Sequence, residues 1–266
     1  MKEQETNQVR GPLRVTLAVW NALFLREALE RLFDMRAAWL WLLVEPLMQM
    51  AFYAWIWSVI RVRHIAGMPT AVWIVVGFLA FFLFRRTATQ VTHAIDSNKA
   101  LFAYRQVKPF DAALIRAFLE VVLMFIVGLV SMTVIAQFGF SFIPVDPLIV
   151  ILAWGGLWLF AFGYGMIASV LMRLVPETKH LLSIAMMPLM IASGVVFPLN
   201  MVPEPYITWL MYNPVANGLE YARSGFGAYY HMVPGASMTY LWKCAVITFF
   251  VGLVLYRRFD QELVMR

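Results

Sequence analysis

The chain is 266 residues long, 62% hydrophobic and only 14% charged, with a formal net charge of +6 and a mean hydropathy of +0.74. A water-wetted domain carries closer to a quarter charged residues, so a soluble globule is excluded and much of the surface must face lipid. One cysteine, Cys244, and four scattered histidines leave no disulfide framework, thiolate site or H-x-x-x-H metal site. The basic residues lie between apolar runs and not in one stripe, which fits membrane topology and not nucleic acid.

The N-terminal MKEQETNQVRG is polar and lacks the apolar stretch of a cleaved signal peptide, so it is expected to stay in the mature protein. Over residues 13–34, Leu17, Trp20, Phe24, Ala28 and Leu32 recur at spacings of three and four, widened by Leu25, Leu29 and Phe33. Arg26, Glu27, Glu30 and Arg31 form the other side, with expected pairs Arg26–Glu30 and Glu27–Arg31. Residues 1–36 are therefore expected to form a cytoplasmic start and an amphipathic helix lying on the membrane. An ordinary amphipathic helix on a soluble domain would have little to pack against.

Runs longer than about 18 apolar residues mark membrane spans. Six are expected, at 37–60, 71–92, 114–138, 147–172, 181–199 and 239–256. The fold class is all-α integral membrane, with a six-helix domain over 37–256 and a cytoplasmic tail at 257–266. In the fourth span Gly155, Gly156, Gly163 and Gly165 occur together. There Ala161, Gly165 and Ser169 make a small-residue face for close packing, within the bundle or across a dimer. Residues 200–238 hold Pro203, Pro205, Pro214 and Pro234 around apolar stretches too short to span. A re-entrant or interfacial hairpin between the fifth and sixth spans is expected, with a small extramembrane domain as the alternative.

Lys and Arg placement orients the chain. With the N-terminus inside, fifteen basic residues fall on the cytoplasmic side against four outside, Arg61, Arg63, Arg223 and Lys243. Both termini are then cytoplasmic. Arg61 and Arg63 are outward exceptions, expected to contact an anionic group, with snorkelling at the interface as the alternative.

No P-loop, G-x-S-x-G, H-E-x-x-H or C-x-x-C occurs, so the chain has no ATP site of its own by motif and no catalytic constellation. Charge at membrane depth is the informative chemistry. Glu45 sits about 12 Å into the first span, and Arg85 and Arg86 about 21 Å below the outer start of the second. In a ~30 Å core these depths coincide, and Arg116 and Glu120 enter the third span near the same level. Such groups either pair within the protein or wall a polar conduit. Neighbouring helical residues point about 100° apart, so one arginine is expected to pair with Glu45 and the other to face a water-filled path. Trp39, Trp41, Trp55 and Trp57 sit at the two ends of the first span, as interfacial belts do.

The segment NKALFAYRQVKPFDAALIRAFLE between spans two and three resembles the corresponding loop of type-2 ABC exporter permeases. YRQVKPFDAALIR is most similar to that of capsular-polysaccharide exporters of the Kps type, which carry polysialic acid. LREALERLFDMRAAWLWLLVEP resembles the family's surface helix entering span one, and SGVVFPLNMVP with NPVANGLEYAR its span-five exit and periplasmic hairpin, Arg223 included. Asn217 departs from the broader family signature, where a basic, hydroxyl or tyrosine residue is frequent.

The resemblance implies a homodimer in the inner membrane with two ATPase subunits, which bind ATP and Mg, exporting a lipid-linked acidic polysaccharide. It further implies a periplasmic co-polymerase and an outer-membrane channel. Related exporters of O-antigen, teichoic acid or a drug are alternatives, as is an ion-coupled secondary transporter. The absence of a sequence repeat between residues 1–138 and 139–266 argues against the last. From their charge at membrane depth, Arg85, Arg86 and Glu45 are the expected translocation path, and the gate of the hairpin is expected at Pro214, Glu220 and Arg223. Leu101, Phe102 and Tyr104 are expected to anchor on the ATPase, oriented by Arg105 and Lys108. A solvated positive-inside loop is the alternative there.

Overall fold

The computed structural model describes residues 12–33, 38–103, 107–141 and 143–265. Helices dominate: α1 (Pro12–Phe33), α2 (Ala38–Val59), α3 (Thr70–Thr92), a short α4 (Ala94–Ser97), α5 (Pro109–Gln137), α6 (Pro147–Leu174) and α7 (Thr178–Ala192). Next come α8 (Tyr206–Leu210), α9 (Pro214–Phe226), α10 (Met238–Arg258) and α11 (Asp260–Met265). Among the described residues five helices, α2, α3, α5, α6 and α10, are long and apolar enough to cross a membrane.

The crossing directions alternate along the chain. Glu45, Tyr53 and Trp57 of α2 meet Arg85, Phe78 and Val196, so α2 runs antiparallel to α3 and α7 continues toward the far end of α2. α6 and α10 lie parallel, with contacts advancing together from Gly155 and Trp242 through Gly163 and Phe249 to Met166 and Gly252. A Cβ at Gly163 would stand 2.4 Å from the Phe249 backbone nitrogen, so only glycine lets these two backbones approach. Gly165 packs against Ala88 and Val91 of α3, and Ser169 shares a 2.7 Å hydrogen bond with Tyr256. The small-residue face of α6 is thus used inside the bundle.

α3 is central. Its run from Trp73 to Phe84 is apolar on every side, so it is enclosed all round, by α2, α5, α6 and α9. Trp41, Met48, Phe52 and Trp55 of α2, and Val246, Ile247 and Phe250 of α10, point outward.

The structure differs from the expected pattern at α7, α1 and the C-terminal residues, and it adds a hairpin between α2 and α3. The run expected to span 181–199 is the 15-residue α7, about 22 Å long. It ends where Gly194 takes a left-handed φ of 71° and Val195 N–H bonds the Met190 carbonyl, a glycine-type helix stop. Between α2 and α3 the chain forms a hairpin, β1 (His64–Ile65) and β2 (Met68–Pro69), paired His64 to Pro69 and Ile65 to Met68. Its turn residues Ala66 and Gly67 both have positive φ, the primed geometry that suits antiparallel twist. Gly67 is required there, since a Cβ would lie 2.0 Å from the Tyr229 carbonyl oxygen.

Finally, α1 splits its charged side between the surface and the bundle. Leu23 and Glu27 are buried, whereas Leu17, Leu25, Leu29 and Phe33 are exposed. Arg26 and Glu30 pair at 2.7 Å as expected, but Glu27 and Arg31 each find partners in the bundle. At the C-terminal end, α11 buries Leu263, and Arg173 of α6 reaches both Asp96 and the Glu262 carbonyl at 3.5 Å.

Candidate functional site

Two charge clusters lie on α3, separated along its axis by about 20 Å between Trp73 and Arg86. The first occupies its C-terminal half. Arg85 turns to α2 and meets Glu45 at 3.4 Å; Arg86 turns to α5 and meets Glu120 at 3.2 Å. This is the divergence that adjacent helical positions impose. Glu120 is fully buried and also accepts from Arg31 of α1. One turn earlier on α5, Arg116 bonds Glu27 at 2.9 Å and Ser97 at 3.1 Å, and Asn98 donates to Glu27 at 2.9 Å. Trp20 donates to Asp111 at 2.9 Å, while Asp111 also accepts from the Lys108 backbone at the start of α5. α1 is thereby fastened to the bundle by charge, because a buried carboxylate in an apolar setting must be paired.

Arg85, Arg86 and Glu45 line a cavity of about 440 Å³ between α2, α3, α6 and α7. Thr89, Gln90, His93, Tyr164, Lys179 and Ser183 complete much of its wall. Lys179 has no acidic partner among the described residues. Burial holds His93 below its ordinary pKa of 6.5; Lys179 and Arg116 push the same way, against Asp96. The cavity is therefore polar with a cationic excess. The three residues share a cavity, and neither arginine is unpaired: the ion pair expected between one arginine and Glu45 forms at Arg85, while Arg86 is paired with Glu120. Arg116 and Glu120 do not bond each other, since each is committed to α1.

The second cluster joins α9 to the N-terminal end of α3. The Arg223 guanidinium lies 3.7 Å from the Trp73 ring centroid, donates to the Gly194 carbonyl at 2.8 Å and meets Glu220 at 3.4 Å. Glu220 in turn accepts from Tyr230 at 3.0 Å and from the Val233 N–H at 3.1 Å. Burial pushes the Tyr230 phenol well up, so it remains a donor. Both Arg223 and Glu220 are fully enclosed, and Gly77 makes the room: a Cβ there would lie 2.2 Å from Arg223 Nη2. Pro214 opens α9, where Asn213 caps the helix by accepting from Val215. Asn217 is buried with three bonds, to the Met211 and Asn213 carbonyls and from the Ser237 N–H. The side chain at this departure from the family signature is a satisfied tie between α8, α9 and α10.

Of the expected coupling residues, Tyr104 and Arg105 lie outside the described residues. Phe102, in the 3₁₀ turn Lys99–Ala103, is buried against the core formed by Val91, Ala113, Phe162 and Leu263. It anchors this turn to the bundle, so its ring is not presented to a partner; Leu101 is half-buried and Lys108 exposed. Arg61 and Arg63 are exposed. Arg61 has a left-handed φ of 61° just beyond α2, where Val62 N–H bonds the Trp57 carbonyl. Arg31, Trp73, Gly77 and Lys179 were not singled out from the sequence for these sites. A glycine inside the bulky WIVVGFLAFF run was the one local signal for the Arg223 pocket.

The sequence profile of ABC-2 type transporters matches residues 18–226 of this chain. The polysialic acid transport protein KpsM of Escherichia coli is 31% identical over 254 residues, covering 96% of this chain and 98% of that protein. The capsule polysaccharide export inner-membrane protein CtrC of Neisseria meningitidis serogroup A is 27% identical, with 98% of each chain covered. The capsule polysaccharide export inner-membrane protein BexB of Haemophilus influenzae is 25% identical, again with 98% of each chain covered.

Proposed function

This chain belongs to the ABC-2 type transporter family, and we propose from that membership that it is the membrane-spanning subunit of a capsular-polysaccharide exporter. Its cargo is a lipid-linked acidic polymer moved outward across the inner membrane. The similarity to capsule and polysialic acid transporters over nearly the whole chain carries this assignment. A cavity whose wall holds Arg85, Arg86 and Lys179 supports an acidic cargo, because guanidinium groups hold carboxylate or phosphate while staying charged.

The energy comes from a separate ATPase, two copies of which bind ATP and Mg beneath a homodimer of this chain. A periplasmic co-polymerase and an outer-membrane channel continue the route. Both termini are cytoplasmic, supported by the fifteen-to-four distribution of basic residues. α7 with residues 193–196 makes the sixth crossing; the alternation of helix directions and the contact of Val196 with Trp57 support it. α8 and α9 form a re-entrant periplasmic hairpin, supported by the packing of the 13-residue α9 against α3, α6 and α10. Pro214, Glu220 and Arg223 set the hinge of that gate, and Arg61 and Arg63 meet anionic groups on the outer face. The 99–110 segment docks on the ATPase through Leu101, Tyr104, Arg105 and Lys108, with Phe102 as its inner anchor.

The test is reconstitution with the cognate ATPase and measurement of hydrolysis stimulated by lipid-linked acidic polysaccharide. Stimulation by the acidic polymer and not by a neutral one is expected. Equal stimulation by a neutral O-antigen lipid would refute the acidic assignment.

A further inference from the structure

The ion pairs around the cavity are of two kinds. Glu120 is fully buried between Arg86 and Arg31, and Glu27 is nearly so against Arg116. Glu45, by contrast, touches Arg85 through one contact of 3.4 Å, and its side chain is 63% exposed. An exposed single-contact pair of this kind shifts an equilibrium by no more than about fivefold, whereas an anion gripped bidentately gains two shorter charge-assisted bonds.

The two partners also differ in how firmly they are held. Arg85 rises from the enclosed α3, with its guanidinium 4.9 Å from the Phe82 ring centroid, a position favoured without any carboxylate. Glu45 rides on peripheral α2 directly before Pro46, which lacks an N–H to bond the carbonyl one turn back and so loosens that turn. When the pair opens, the carboxylate is the member free to leave. What remains is Arg85 on one wall and, on another, Lys179, which has no acidic partner among the described residues.

We propose that Glu45 is a displaceable carboxylate, which occupies Arg85 while the cavity is empty and yields it to an anionic phosphate or carboxylate of the cargo. Arg85 and Lys179 receive that group; Arg86 is a positioning residue committed to Glu120. The proposal rests on the assignment of this cavity to the translocation path. Glu45 keeps an empty cavity from capturing stray anions and gives each bound group a competitor that favours release.

The test uses the chain assembled with its ATPase in phosphatidylcholine nanodiscs. A Ser183→Cys reporter in a Cys244→Ser background carries an environment-sensitive fluorophore on the cavity wall. Inorganic phosphate and, separately, glucuronate are titrated as headgroup and polymer probes. Glu45→Gln is expected to lower the half-saturating concentration of at least one probe about two- to fivefold, a gain abolished by adding Arg85→Gln. A gain with phosphate alone identifies a lipid headgroup, with glucuronate alone the polymer, and with both the shared anion chemistry. An unchanged titration for both probes in Glu45→Gln overturns the proposal. Polymer-stimulated hydrolysis is read in parallel. Should Arg85→Gln abolish stimulation while Glu45→Gln leaves both titrations unchanged, the path stands and the displaceable carboxylate falls. If Arg85→Gln retains full stimulation, the path assignment itself fails.

Discussion

Replacing Glu120 by glutamine removes the carboxylate that Arg31 and Arg86 share. The side chain is 0% exposed and its partners 14% and 19%, so the two guanidinium groups cannot simply rehydrate. Breaking a buried pair from one side costs about 3–5 kcal/mol, chiefly through the charge left behind. Here two like charges are left facing each other, which puts the cost at the upper end. For a chain of this length that corresponds to a melting temperature lower by roughly 6–15 °C. Glu45→Gln removes a 63% exposed carboxylate at 3.4 Å, a change worth under ~1 kcal/mol. Both variants should be purified in one detergent and melted side by side, following tryptophan fluorescence and retention of the monodisperse peak. Arg31→Gln combined with Glu120→Gln should recover part of the loss by removing one of the orphaned charges. If Glu120→Gln melts within about 2 °C of Glu45→Gln, the buried triad does not hold α1 to the bundle as argued.

Gly77→Ala drives a Cβ into the Arg223 guanidinium and should destabilise by about 1–3 kcal/mol. In a double-mutant cycle with Arg223→Ala, melting should show strong non-additivity, because each change disturbs the same pocket. Phe102→Asp buries a carboxylate in the second core and should abolish membrane accumulation of the protein, whereas Leu101→Asp should leave accumulation intact and reduce co-purification of the ATPase. Because His93 is held below 6.5 by burial and by Lys179, its neutral form is favoured in the folded state. Its contribution to stability is therefore full above pH 6.5 and is lost as pH falls through the lowered folded value. His93→Gln should flatten that acid limb of the melting-temperature profile.

The amino-acid sequence by itself determined that the protein lives in lipid, because its charge is too sparse to wet a surface and its apolar runs match the thickness of a bilayer. The five long spans needed nothing more than that. Their orientation expectation came from lysines and arginines between them, and YRQVKPFDAALIR and NPVANGLEYAR pointed to the family through sequence likeness alone. Rise per residue put Glu45 and Arg85 at one depth, which is why that contact was legible.

Azimuth was not legible in the same way. A linear pattern marks which residues share a helix face, but which face meets which neighbour depends on how helices rotate about their own axes when packed. α1 illustrates it: its polar side reads as solvent-facing until Arg116 and Glu120 supply buried partners for Glu27 and Arg31 from 89 residues away. Phe102 reads as an exposed anchor until the fold buries it in the same core as Phe162 and Leu263. Arg223 lies 150 residues from the Trp73 carbonyl it bonds, and only the packing of α9 against α3 turns a basic residue on an outer loop into an enclosed cation. Long-range pairing of this kind is decided by tertiary packing, because the cost of burying each charge is offset by a partner that local sequence does not contain.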